Sequence, residues 1–110
     1  MVEVTKADWK LFCSKIGDWQ EAYMDKLIRE YMELLSAEGV ASEKFWELEK
    51  RIKNDKRHPG VQMELRKRDL PFDLLQLINL GVITEQELEG FSEDLKDTIN
   101  FLISRNYGRL

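Results

Sequence analysis

The sequence predicts an all-α protein: one domain over residues 1–110, built as an irregular bundle of four or five helices. Three observations predict it. Apolar residues recur at i, i+3, i+4 and i+7 through most of the chain, the spacing of one helix face. β-Branched residues never alternate with polar ones over a strand's length. Only two prolines and six glycines interrupt 110 residues, a length that holds one core and not two.

The elements follow in chain order. Thr5 with Asp8 three residues later has the form of a capping box, with Asp in the usual Glu place. It opens a helix over about residues 6–16 whose stripe is Trp9, Phe12, Cys13 and Ile16. Gly17 is expected to break that helix, with Asp18 capping the next one and Glu21 at its third position. This second helix, about residues 19–37, carries one stripe of Trp19, Tyr23, Leu27, Tyr31, Leu34 and Leu35 and a neighbouring row of Met24, Ile28 and Met32. So broad an apolar face implies burial on two sides or contact with another chain. Gly39 is placed to end it.

Residues 41–60, ASEKFWELEKRIKNDKRHPG, read as a capped helix over about 42–57. Ser42 is the expected N-cap and Glu43 complements the helix dipole. Phe45, Leu48 and Ile52 form the apolar stripe, and Glu47–Arg51 and Glu49–Lys53 are spaced for i,i+4 ion pairs. Lys53, Lys56 and Arg57 suit its C-terminal end, and Pro59 stops it. A short helical segment led by Pro59 is expected over VQMELRKR, residues 61–68. Residues 70–80, LPFDLLQLINL, are apolar on most sides and are the expected centre of the bundle, closed by a left-handed Gly81. Thr84 and Glu87 match a capping box for a short helix at about 85–89, and Ser92 caps a last helix at about 93–104. Asn106 to Leu110 are expected to fray.

Composition narrows the function classes. Hydrophobic residues make up 43% and charged residues 35%, so the chain folds rather than staying disordered. The longest uncharged stretch, Leu74 to Thr84, is far shorter than the roughly 20 residues that span a bilayer. The first ten residues lack the apolar region of a signal peptide. A single cysteine fits a reducing, cytoplasmic setting.

Chemistry has few candidates. His58 is the only histidine and reads as a loop residue before Pro59; Cys13, on an apolar stripe, reads as a small buried hydrophobe. No phosphate loop, nucleophile elbow or zinc-binding H-E-x-x-H is present. The acids among residues 85–97 sit on predicted first turns, where the helix dipole accounts for them. Neither an enzyme nor a cofactor or metal is expected.

Charge is segregated. The net charge is −4, yet residues 50–68 hold eight bases against two acids. Lys50, Lys53, Lys56, Arg57, Arg66, Lys67 and Arg68 are therefore candidate partner-binding residues. Trp19, Tyr23 and Tyr31 are candidates of a second kind, because aromatic residues are enriched in contact surfaces. The segments KFWELEKRIKNDKRHPG at 44–60 and ITEQELEGFSEDL at 83–95 resemble those of a group of small, all-helical bacterial proteins, some bearing the label multidrug transporter. The likeness covers about the C-terminal two-thirds and implies a helical domain from a bacterium or its phage, with no site residues to carry over. The absence of a spanning run opposes the transporter label.

The expected function is a cytoplasmic protein-interaction or regulatory domain whose partner is another protein or a second copy in a homodimer. Nucleic-acid binding through residues 50–68 is the alternative, and no membrane contact is expected.

Overall fold

In the computed structural model, residues 3–108 are described. They form four α-helices: α1 (Lys6–Ser36), α2 (Ala41–Asp55), α3 (Leu70–Asn79) and α4 (Glu93–Ser104), with 3-10 turns at Lys67–Asp69 and Glu85–Leu88. No strand occurs among the described residues. The chain divides into two compact units, one of Met1–Trp19 with Glu64–Leu110 and the other of Gln20–Met63.

α1 is one helix of 31 residues, where two helices parted at Gly17 were expected. Gly17 does not adopt a positive φ, and a Cβ there would meet nothing within 4 Å. A lone glycine costs a helix only about 1 kcal/mol. The apolar positions Phe12, Ile16 and Trp19 stay in helical register across it and are all buried. Asp18 therefore caps nothing. Cys13, expected to be buried, is exposed, because it sits one position round from Phe12, off that stripe.

The first unit holds nearly all of the core. Leu70, Leu74, Leu75 and Leu77 of α3 are buried, and α3 packs on α4 through Leu95 and Ile99. Both helices end in the same C-terminal motif. After α3, Val82 N–H donates to Leu77 C=O at 2.9 Å and Gly81 N–H to Ile78 C=O at 3.1 Å, with Gly81 at φ +76°. After α4, Tyr107 N–H donates to Leu102 C=O and Asn106 N–H to Ile103 C=O, both at 2.9 Å, with Asn106 at φ +54°. Residues 106–108 thus form an ordered turn where fraying was expected; 109 and 110 lie outside the described residues.

Two other expectations fail locally. Thr84 precedes the 3-10 turn without a side-chain cap bond. Glu87 instead accepts the indole N–H of Trp19 at 3.3 Å. Residues 62–66 are irregular rather than helical, and half-buried Val61 and Met63 alternate with exposed Gln62 and Glu64. That period-two alternation is the pattern of an extended segment. Ser92 caps α4 as expected, accepting from Leu95 N–H at 3.4 Å. Its own hydroxyl donates to Asp8 at 2.7 Å.

The second unit is an antiparallel hairpin of the Gln20–Ser36 part of α1 with α2. Its register is read from polar links: Tyr23 with His58, Tyr31 with Asp55, Glu30 with Arg51 and the Leu35 carbonyl with Lys44. α2 begins at Ala41 after an extended Val40, one residue before the expected cap, so Ser42 lies inside the first turn and makes no cap bond.

Candidate functional site

The candidate surface lies on this hairpin. α2 buries none of its residues, and in the whole unit the one large apolar side chain that is fully buried is Leu27. The two helices leave much of their apolar stripes uncovered. Ile28, Met32 and Leu35, at i, i+4 and i+7 on α1, remain exposed, Met32 by 61%. On α2, Phe45 and Ile52 are exposed at i and i+7, and Phe45 stands edge-on to Trp46 with ring centroids 4.9 Å apart. Phe45 and Trp46 each keep 62% of their surface in solvent. A cleft of about 190 Å³ lies at the seam, lined by Met24, Ile28, Tyr31, Ile52 and Val61 among others.

Polar bonds on the inner side hold the two helices in place. The Tyr31 hydroxyl donates to Asp55 Oδ2 at 2.5 Å; burial and then this bond push the phenol up to about 12. Arg51 pairs with Glu30 at 2.7 Å, lies over the Tyr31 ring and stands 4.0 Å from Asp55. The expected i,i+4 pairing of Arg51 with Glu47, and of Lys53 with Glu49, is not formed among the described residues. Arg51 takes the cross-helix partner instead, because Glu30 and Asp55 flank it on the buried side.

The turn after α2 is built on His58. Its ring stacks on Tyr23 with centroids 4.5 Å apart and planes 9° from parallel. Gly60 N–H donates to His58 Nδ1 at 2.9 Å, so Nδ1 is unprotonated and Nε2 carries the hydrogen that faces the Tyr23 hydroxyl at 3.2 Å. Burial, with Lys26 nearby, holds the imidazole below its ordinary value against the pull of Asp55. Gly60 is required here: a Cβ would come within 2.3 Å of the Tyr23 ring. His58 is thus a structural pin of the hairpin turn.

The structure separates the sequence candidates. Tyr23 and Tyr31 serve the hairpin's inner side. Trp19 lies in the other unit, 8% exposed and edge-on to Phe12, so its indole is core rather than docking surface. The basic segment is divided as well. Lys50, Lys53, Lys56 and Arg57 belong to the hairpin; Arg66, Lys67 and Arg68 belong to the other unit. Arg66 pairs with Glu64 at 2.7 Å and Arg68 stands 4.0 Å from Asp69. The four hairpin cations are exposed and form no ion pair among the described residues. Sequence reasoning missed Phe45 and Ile52 as surface residues, because an i, i+3, i+7 stripe reads the same whether a core or solvent covers it.

No protein-family model, curated protein or solved structure matches the chain. No described helix is long and apolar enough to cross a membrane. No cluster of three or more His, Cys, Asp or Glu suited to a metal occurs among the described residues.

Proposed function

We propose that the chain is a protein-interaction or regulatory domain that self-associates through the open face of the α1–α2 hairpin, in the cytoplasm and without catalysis of its own. The observation that carries the reading is the exposure of Ile28, Met32, Leu35, Phe45, Trp46 and Ile52 on one unit that buries a single large apolar side chain. Together they leave on the order of 500 Å² of apolar surface, a large share of the roughly 800 Å² each partner contributes to a standard interface. The flanks of the seam favour a second copy. Glu21 precedes Ile28 by seven residues on α1, and Lys56 follows Ile52 by four on α2. A copy turned about an axis parallel to the helices sets the acidic flank of each hairpin against the basic flank of the other.

Nucleic-acid binding is the second reading, favoured by one arrangement. Trp46, Lys50, Lys53 and Arg57 recur at i, i+4, i+7 and i+11 from α2 into its turn, all exposed. Such a row tracks phosphates with a base-stacking ring beside it.

Light scattering on the full chain separates the two. The first reading expects a dimer mass at micromolar concentration that persists at high salt, because the apolar contact carries it, and that reverts to monomer in Met32→Glu. A monomer whose mass rises only with a short duplex at low salt would overturn it in favour of the second.

A further inference from the structure

The other unit carries a cleft of about 300 Å³ between α3 and the turn after α4. Phe72, Leu75, Leu80 and Tyr107 give it apolar walls, and the Phe72 and Tyr107 rings stand 5.8 Å apart at 45°. Asn79 donates to the Tyr107 carbonyl at 3.0 Å, and Asn106 completes the helix-ending motif before it, so this wall is fixed. Asp73 lies in the same wall. Its Oδ2 is buried and has no hydrogen-bond partner among the described residues. Burial, and then Asp69 one turn earlier, push the carboxyl up to about 6. At neutral pH the fold therefore holds a carboxylate in a place that disfavours its charge. Buried polar atoms are almost always satisfied, and groups kept at a cost to stability concentrate at functional sites.

We propose that this cleft binds a cation borne on an apolar shaft, an alkylammonium or alkylguanidinium group such as a lysine or arginine side chain offers. Asp73 is the counter-ion and the paired Phe72 and Tyr107 rings form an apolar wall for the shaft. A cation seated against the Asp73 carboxyl, which lines the cleft, gains a charge-assisted bond, and an aromatic face beside it adds further attraction. An anion is repelled by Asp73 and Asp69. A neutral apolar molecule fills the cleft but leaves the carboxylate unpaired. The inference uses the unit that the self-association reading leaves untouched and stands or falls separately from it.

The test is titration of the full chain at pH 8 with butylammonium and butylguanidinium, followed by amide chemical shifts, with 1-butanol as the neutral isostere. The expected result is saturable shifts confined to residues 72–80 and 105–108. Affinity should be about tenfold weaker for 1-butanol and in Asp73→Asn, as the loss of one charge-assisted bond predicts. Asp73→Asn removes only a disfavoured charge, so its spectrum should remain that of the folded chain. Equal binding of 1-butanol, equal binding by Asp73→Asn, or no saturable shift up to about 100 mM cation, a Kd beyond any specific site, would each overturn the proposal.

Discussion

Asp8 ties the start of α1 to the start of α4. It is 2% exposed, and its two oxygens accept the Ser92 amide at 2.8 Å and the Ser92 hydroxyl at 2.7 Å. Thr5 in turn accepts the Asp8 amide at 3.0 Å, so the Thr5–Asp8 pair read from the sequence as a capping box is half realised. The carboxylate end of that box reaches across the unit instead of back along its own helix. Burial alone would raise the Asp8 carboxyl; the bonds from Ser92 and Thr5 outweigh it and hold the group below its ordinary value. The sign follows. A carboxyl depressed in the fold contributes stability above its unfolded value of about 3.9 and loses it as pH falls through the folded one. Asp8→Ala should therefore cost about 2–4 kcal/mol in urea unfolding at pH 7, by leaving Ser92 donors unpaired. The gap from wild type should shrink below pH 4. A gap independent of pH would mean that lost packing, not the charge, causes it.

At the scale of elements, α1 shows where local punctuation yields to register. Gly17 carries a strong stop signal in sequence, yet the buried positions on either side keep helical phase through it. Since its conformation is helical and a side chain meets open space, Gly17→Ala should raise stability by about 0.5–1 kcal/mol. Thermal unfolding checks this; a lowered Tm would show that the glycine is needed for a bend. The end of α3 and the start of α4 were legible because their signals are local: Gly81 and Ser92 do what their residue types favour. Asn106 was missed because asparagine enters the left-handed region less routinely than glycine. The 61–68 segment was misread because its charged residues suit a helix, while its apolar ones alternate with period two. Trp19's acceptor, Glu87, lies 68 residues away, and no local pattern announces such a pair.

For the whole molecule, the all-helical class was legible from periodicity, and the apolar 70–80 segment marked the core of its unit correctly. The candidate surface was legible only in outline. The breadth of the apolar face on residues 19–35 left burial on two sides and contact with another chain equally open, and the structure leaves Ile28, Met32 and Leu35 in solvent. What the sequence did not reveal is that α2's own stripe is also open, and that residues 50–68 fall into two units rather than one basic patch. Both depend on which elements pack together, and periodicity is silent on that.

The most direct measurement is hydrogen exchange of the full chain across a hundredfold range of protein concentration. If a second copy covers the hairpin, amide protection over residues 24–35 and 45–55 rises with concentration, while α3 and α4 stay unchanged. Protection independent of concentration, or a rise confined to α3 and α4, would contradict the account.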